Sequence, residues 1–232
     1  HLNRLLIGQD AGEIEGLCDR LFRATLPYGR KGVALQALSA IDLALWDLAG
    51  KAAGKPVYEL LGGPVKPDIP VYASALHPVG AEKVQVEAKT YVEEGYQAMK
   101  MRFPYGPGHG VAGMRANEEH VANVRDAVGD DIEIMADAYM GWDFLYAKKM
   151  VKRLEPYRLA WLEEAFLPDD LNSYAQLRQE TSIPISGGEH EYTRFGFQQI
   201  IEKQAMDIIQ PDLRRCGGLS EGRRICSIAL AN

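Results

Sequence analysis

The strongest constraint on the fold is an alternation of short β-prone runs and longer amphipathic helical patterns that begins after Pro67. The β-prone runs lie at residues 69–74, 98–102, 132–137, 159–164, 183–189 and 206–212, and the helical patterns lie at 82–94, 118–128, 143–157, 170–180 and 193–203. Strands that alternate with helices in this way form βαβ units and a parallel sheet. Six such units fit a (β/α) barrel or a doubly wound sheet. The barrel is favoured because no glycine-rich dinucleotide fingerprint follows the first strand.

Helical patterns alone occupy the first part of the chain. The segment at residues 33–51 is rich in Ala and Leu at helical spacing, and a second short helix after Pro56 is expected to stop at Gly62-Gly63-Pro64. We therefore predict two regions, a helical one at residues 1–66 and a barrel region with six strands at residues 67–232.

Charge and cysteine content narrow the class of protein. The formal net charge of -6 argues against non-specific nucleic-acid binding. Cys18, Cys216 and Cys226 have no paired spacing, which indicates reduced thiols in a cytoplasmic protein. We find no apolar run near the length of a membrane span and no signal peptide, so no membrane association is expected.

Three acidic residues follow apolar strands in phase with the predicted fold. Asp137, Glu163 and Glu189 are equally spaced along the chain, at the ends of the third, fourth and fifth strands. The carboxyl ends of barrel strands meet at one rim, where active sites lie. Carboxylates gathered there would repel one another unless a cation lay between them. Oxygen ligands without cysteine indicate a hard cation, with Mg²⁺ preferred over Mn²⁺ or Ca²⁺.

An alternative explanation is that these acids cap the helices that follow them, since Asp is common at helix N-caps. The equal spacing of three such acids makes this the weaker interpretation. Glu164 is expected to point away from Glu163 because strand side chains alternate, and Trp161 is interpreted as core.

Charged residues also mark the second and sixth strands. Lys100 and Arg102 share one face of the second strand, and a cation in an apolar strand is costly unless it is paired. We expect both to face the carboxylates, although a charge exposed at the rim is the alternative. Asp212 ends the sixth strand. Of the histidines, His120 is interpreted as structural.

Together these residues resemble the mandelate racemase/muconate lactonizing enzyme branch of the enolase superfamily over nearly the whole chain. Residues 40–47 (AIDLALWD) and 60–63 (LLGG) are similar to the helical part of the family's capping domain. Asp137, Glu163 and Glu189 match its metal ligands. Residues 100–102 (KMR) stand in the place of its Lys-x-Lys motif, and Asp212 in the place of the aspartate of its His-Asp dyad.

Shorter segments resemble the acid-sugar dehydratases of this branch, those of the rhamnonate type in particular. They are residues 104–107 (PYGP), 136–140 (ADAYM), 188–190 (GEH) and 210–212 (QPD), the last leading to 216–219 (CGGL). This resemblance implies a hydro-lyase that removes the proton alpha to a carboxylate through an enediolate stabilised by Mg²⁺. Loss of water would then give a 2-keto-3-deoxy acid.

The resemblance also implies a fold, a set of site residues and a mode of assembly. The fold would be the modified (β/α)7β barrel of the superfamily, here incomplete, with the helical part of the capping domain. Lys100, Arg102 and Asp212 would be catalytic, and His77, Tyr139 and His190 would contact a small sugar acid. The family assembles as homo-oligomers.

Two departures from the family pattern affect these expectations. Arg102 replaces the second lysine, and arginine stays protonated and is a poor general base. Lys100 could therefore act electrostatically or serve as the acid or base itself. The sequence also ends at Asn232, after the sixth strand, without the seventh and eighth strands or the histidine that would pair with Asp212. We therefore expect a fragment or an incomplete chain.

Three other functions fit the same residues. A racemase, epimerase or cycloisomerase of the superfamily would share the metal site. A non-catalytic homologue could keep the metal without turnover. The third alternative is an unrelated barrel that binds no metal.

Overall fold

The computed structural model describes residues 2–232, which form two compact units. The first, which we call the helical unit, contains the chain up to Ile69, Gly188–Ile201 and Gln210–Asn232. The second, which we call the sheet unit, contains Pro70–Gly187 and Glu202–Ile209. The domain boundary expected between residues 66 and 67 stays a prediction.

Helices and strands alternate after the first four helices. The helices are α1 Asn3–Leu6, α2 Ile14–Thr25, α3 Val33–Ala53, α4 Val57–Leu60, α5 Ala81–Glu93, α6 Gly110–Val128, α7 Phe144–Leu154, α8 Leu171–Arg178, α9 Thr193–Glu202 and α10 Gly218–Leu230. The strands are β1 Ala73–Ser74, β2 Ala98–Arg102, β3 Glu133–Asp137, β4 Trp161–Glu163, β5 Ile185–Gly187 and β6 Ile208–Ile209. Short 3₁₀ turns lie at Pro107–His109 and Glu155–Tyr157.

The helical unit is held by an apolar core between α2 and α3. Leu21, Leu35 and Leu38 are buried there, and partly buried side chains from α1 and α3 pack around them. Leu35 and Leu38 lie one helical turn apart, so apolar residues at helical spacing in α3 face this core.

A buried carboxylate joins α3 to α10 within the same unit. The Asp42 side chain accepts a hydrogen bond from the Ser220 backbone N–H (3.1 Å) and one from the Cys18 thiol (3.3 Å). A Cβ atom at Gly218 would overlap the Asp42 side chain, and Gly218 has a φ of 88°. Glycine is therefore required for the start of α10 to approach α3 this closely.

One helix departs from the sequence expectation about membrane spans. α3 is long and apolar enough to cross a membrane by length and composition. Its buried residues include Ser39 and Asp42 as well as leucines, and the Asp42 side chain accepts a hydrogen bond from the Ser220 backbone N–H.

The sheet unit contains six parallel strands in sequential order, β1-β2-β3-β4-β5-β6. This confirms the prediction of consecutive βαβ units. The register aligns Arg102 with Asp137, Asp137 with Glu163 and Glu163 with Ser186. Aligned residues of neighbouring strands project from the same face, so these four side chains form a row across β2, β3, β4 and β5.

Several strands are shorter than the sequence predicted. The runs expected at 159–164 and 183–189 shorten to β4 Trp161–Glu163 and β5 Ile185–Gly187, and the two edge strands are the shortest. The first run was expected at residues 69–74, but β1 is Ala73–Ser74, and Ile69 and Val71 are exposed. Ala73 is aligned with Met99 and β2 begins at Ala98, so residues 69–71 lie before the start of β2. The run at 206–212 likewise shortens to Ile208–Ile209, the length over which β6 pairs with β5.

Helix α6 was predicted to begin at residue 118 but begins at Gly110. Four glycines lie between residues 106 and 113, and such a composition is typical of a loop. The 3₁₀ turn at Pro107–His109 leads directly into the helix, and the sequence rule for glycine missed this continuation.

Candidate active site

Two of the three predicted metal ligands lie side by side in the sheet unit. Asp137 ends β3 and Glu163 ends β4, and the two residues are aligned in the parallel pairing. Their exposed fractions are 2% and 1%. Two ionised carboxylates that are adjacent and buried from water are unfavourable in energy unless positive charge lies beside them.

Lys100 provides positive charge to Glu163. The Lys100 ammonium donates to Glu163 Oε1, and the pair is buried. The Trp161 indole N–H donates to the other carboxylate oxygen, Oε2, over 2.9 Å. Burial alone would lower the pKa of Lys100, but the hydrogen bond and charge of Glu163 outweigh it and hold that pKa above its ordinary value. Lys100 is therefore an ammonium ion in this arrangement.

Asp137 is held by a backbone donor and by an arginine. Its Oδ1 accepts the backbone N–H of Tyr139 over 2.7 Å, and its Oδ2 lies 3.1 Å from Nη2 of Arg102. Burial and the charge of Glu163 raise the pKa of Asp137, against the lowering effect of Tyr139 N–H, Lys100 and Arg102. The predicted orientation of Lys100 and Arg102 towards the carboxylates is thus present.

A small cleft opens beside these groups, and we call it the candidate cleft. It has a volume of about 210 Å³ and is lined by Ser74, Ala75, His77, Lys100, Met101, Arg102 and Asp137. His77 therefore lies at the carboxyl end of the sheet, as expected from its place after the first strand. The Tyr139 ring lies under the Arg102 guanidinium, with 4.4 Å between Cζ and the ring centroid. A guanidinium is attracted electrostatically to an aromatic face at this distance.

The expected direction of Glu164 is not supported. Strand alternation does not apply to it, because β4 ends at Glu163 and Glu164 has a left-handed φ of 43°. Its side chain is buried, with 3% exposed. A left-handed backbone turns the side chain out of the alternation that a strand imposes.

Glu189, His190 and Asp212 belong to the helical unit. Arg215 connects two of them, since its Nη1 donates to the Glu189 carbonyl (3.2 Å) and its Nε lies 3.7 Å from Asp212 Oδ2. His190 Nδ1 lies 3.6 Å from Glu189 Oε1.

The Asp212 carboxylate is surrounded by arginine donors. The backbone N–H of Arg214 donates to its Oδ1 over 2.8 Å. Burial would raise the pKa of Asp212, but the Arg214 hydrogen bonds and the two arginine charges prevail and lower it. The roles assigned to Glu189, His190 and Asp212 stay predictions.

The residues of the sheet unit fit a hard divalent cation. Asp137 and Glu163 offer carboxylate oxygens, the ligands that such cations prefer. The same row contains Ser186, whose buried hydroxyl has no hydrogen-bond partner among residues 2–232. A bound cation would take over the neutralising role of the Lys100 and Arg102 side chains, and its bound water would supply the partner that the Ser186 hydroxyl lacks.

Sequence reasoning missed the role of Trp161. It was interpreted as core, yet it is half-buried, donates to Glu163 and packs edge-on against Tyr72, with 5.6 Å between ring centroids. The signal was present, because Trp161 and Glu163 lie two residues apart and so share one face of β4.

Comparison with known proteins gives the family. The model described as "Enolase C-terminal domain-like" matches residues 83–232, and "Mandelate racemase / muconate lactonizing enzyme, N-terminal domain" matches residues 1–62. A curated L-rhamnonate dehydratase from Saccharopolyspora erythraea is 41% identical over 100% of this chain and 57% of its own length. The chain therefore spans little more than half of that relative.

Solved structures agree with this result. The 3,6-anhydro-D-galactonate cycloisomerase from Zobellia galactanivorans is 35% identical with a TM-score of 0.92, covering 99% of this chain and 64% of that one. The rhamnonate dehydratase from Gibberella zeae, solved in complex with Mg, is 36% identical with a TM-score of 0.88, covering 100% of this chain and 55% of that one. The parallel sheet is part of a barrel-type α/β fold, and the chain belongs to the mandelate racemase/muconate lactonizing enzyme branch of the enolase superfamily.

Proposed function

We propose that this chain carries the metal-binding half of a Mg²⁺-dependent dehydratase that acts on a sugar acid of the rhamnonate type. The observation that carries the proposal is the buried pair of Asp137 and Glu163 at adjacent strand ends, each contacted by a cation from β2. The 41% identity to an L-rhamnonate dehydratase supports the reaction and the substrate class.

Asp137 and Glu163 would hold the metal, and Glu189 is the third ligand by its place in the sequence. Mg²⁺ bound there would supply positive charge to the substrate carboxylate as the proton alpha to it is removed. The solved rhamnonate dehydratase that contains Mg supports this choice of metal.

The cations of β2 have a role of their own in this proposal. With a metal on the carboxylates, the Lys100 ammonium and the Arg102 guanidinium would be free to face the negatively charged substrate. An ammonium ion can donate a proton or neutralise charge, and a guanidinium can bind a carboxylate through two donors. We therefore assign Lys100 to electrostatic stabilisation or proton donation, and Arg102 to binding the substrate.

The remaining residues would orient the substrate and balance the elimination. His77, Tyr139 and His190 offer hydrogen bonds to sugar hydroxyls, and Asp212 would orient the family's catalytic histidine. One proton leaves the alpha carbon, the hydroxyl on the neighbouring carbon leaves with a proton as water, and the resulting enol becomes the 2-keto-3-deoxy acid.

The test is a set of sugar acids, L-rhamnonate among them, incubated with the protein and Mg²⁺ and followed by mass spectrometry. The proposal expects one acid to lose one water and give a 2-keto product, with no product in EDTA. Magnesium binding without loss of water from any acid would favour a non-catalytic homologue.

A second candidate is a cycloisomerase or racemase that uses the same site. It is favoured by the 35% identity to the 3,6-anhydro-D-galactonate cycloisomerase. The discriminating measurement is exchange of the alpha proton in deuterated water. Exchange without loss of water would favour this alternative, and Lys100→Ala should slow the exchange in either case.

A further inference from the structure

A strained residue immediately precedes His77 in the candidate cleft. Leu76 follows β1, is fully buried with 0% exposed, and has a left-handed φ of 56°. This backbone conformation is disfavoured for a bulky residue and persists only where the surroundings hold it. Strain of this kind is concentrated at functional sites, where surrounding contacts maintain it.

Two side chains from different helices hold the backbone of Leu76. Glu87 of α5 accepts the Leu76 N–H at its Oε1 over 3.3 Å, and the Tyr91 hydroxyl donates to the same oxygen. His120 of α6 lies with Nε2 3.1 Å from the Leu76 carbonyl oxygen. A carbonyl can only accept, so Nε2 of His120 carries the proton. We call Glu87 and His120 the Leu76 clamp.

The clamp lies between a fixed strand and a residue of the cleft. On one side, the Ala75 N–H donates to the Lys100 carbonyl over 3.0 Å, which ties the chain to β2. On the other side, His77 lines the cleft together with Lys100, Arg102 and Asp137. The left-handed turn at Leu76 sets the direction in which the chain leaves β1, and hence where His77 lies.

We propose that Glu87 and His120 are positioning residues that hold Leu76 in its left-handed conformation and thereby place His77 in the cleft. The inference rests on the proposed function, because it assumes that the cleft receives the substrate. His120 is buried, with 7% exposed, and does not line the cleft, so it acts through Leu76.

The same helix provides a matched control. Arg125 of α6 also donates to backbone carbonyls, those of Gly129, Ile132 and Tyr157, over 2.7 to 3.1 Å. Gly129 and Ile132 precede β3, so these contacts lie at the end of the sheet opposite to Asp137. Arg125→Met removes more hydrogen bonds to backbone carbonyls than His120→Leu does, one of them to Arg158, without touching the clamp.

The test follows the His77 ring and the Leu76 amide by NMR in the intact protein. The chain has five histidines, so each ring Cε1–H signal can be assigned by single substitution. His120→Leu should shift and broaden the His77 signal and speed Leu76 amide exchange by about tenfold or more. His120→Gln keeps an N–H donor near the position of Nε2, so its His77 signal and its Leu76 amide exchange rate should match those of wild type. Arg125→Met should change neither the signal nor the exchange rate.

A second pair keeps the test decisive if His120→Leu fails to fold. Glu87→Leu removes the acceptor for the Leu76 N–H and should reproduce the His77 shift, whereas Glu87→Gln keeps a carbonyl acceptor and should not. If His77 responds to neither apolar variant more than to Arg125→Met, the contacts serve stability alone and the proposal is wrong.

Titration of the wild-type protein with Mg²⁺ separates this proposal from the proposed function. Absence of Mg²⁺ binding would contradict the proposed function. A His77 signal that depends on His120 would still support the positioning role, since it is measured without metal or substrate.

Discussion

At the scale of single residues, the stability of the candidate site depends on how its buried charges are neutralised. Glu163 is 1% exposed, and its charge is met by Lys100 and by the Trp161 N–H. Removing one partner of a buried pair leaves an uncompensated charge, whereas removing both can be nearly neutral. The buried row is therefore stable only when some cation, from a side chain or from a metal, stands beside the acids.

The first prediction concerns Lys100→Met, which leaves Glu163 buried without its ammonium partner. We expect a loss of about 3 to 5 kcal/mol in the free energy of unfolding, measured in urea with EDTA present. Mg²⁺ should recover part of this loss. The double variant Lys100→Met/Glu163→Gln should be more stable than Lys100→Met. A Lys100→Met protein within about 1 kcal/mol of wild type would contradict this account of the pair.

The second prediction is a pH dependence from His120. Burial lowers the pKa of His120, and the Leu76 carbonyl and Glu87 offset this only in part, while His77 adds to it. A histidine with a lowered folded pKa favours folding above its unfolded pKa of about 6.5, and this stability is lost as pH falls through the folded pKa. Between pH 8 and pH 5, wild type should therefore lose more unfolding free energy than His120→Gln. Equal losses in urea titrations would show that His120 does not titrate differently on folding.

At the scale of elements, helix approach and strand register place the side chains. Gly218 allows α10 to start against Asp42 of α3, and the register of β2, β3 and β4 puts Arg102, Asp137 and Glu163 in one row. A shift of one residue in any of these strands would turn its acid or cation to the other face.

The third prediction compares two glycines of the helical unit. Gly218→Ala should lower stability by about 2 kcal/mol or more, because its Cβ meets Asp42 and its φ is left-handed. Gly16 lies within α2 with open space around it, so Gly16→Ala should raise stability by up to about 1 kcal/mol. Thermal unfolding of the two variants gives the comparison. A Gly218→Ala protein as stable as wild type would show that α3 and α10 can separate at little cost.

The sequence predicted the bounds of an element well where the local residue pattern determines them. It predicted them poorly where contacts with neighbouring elements determine them. The bounds of β2, Ala98–Arg102, were predicted correctly, since a clear helical pattern at residues 82–94 precedes the strand and Pro104 follows it closely. The strands β1, β4, β5 and β6 were predicted too long, since the length of a strand depends on how far its neighbour pairs with it. The left-handed turn at Leu76 has no sequence signal, because the groups that hold it lie 11 and 44 residues away along the chain.

At the scale of the whole molecule, the residues predicted from the sequence as site residues are divided between the two units. The sheet unit contains Asp137, Glu163, Lys100 and Arg102, whose contacts follow from strand alternation and were expected. The helical unit contains Glu189 and Asp212, and no sequence pattern indicated that Arg214 and Arg215 would surround Asp212. Strand alternation is a local rule and can be read from the sequence, whereas loop contacts after β6 depend on side chains that fold back.

The most direct test of the metal site is calorimetric titration of Mg²⁺ into wild type, Glu163→Gln and the control Glu133→Gln. Glu133 is exposed at the other end of the sheet from the acids, where β3 begins. We predict that wild type and Glu133→Gln bind one Mg²⁺ with equal affinity and that Glu163→Gln binds it about tenfold more weakly or worse. Equal affinity of all three proteins, or no binding by wild type, would contradict the assignment of Glu163 as a metal ligand.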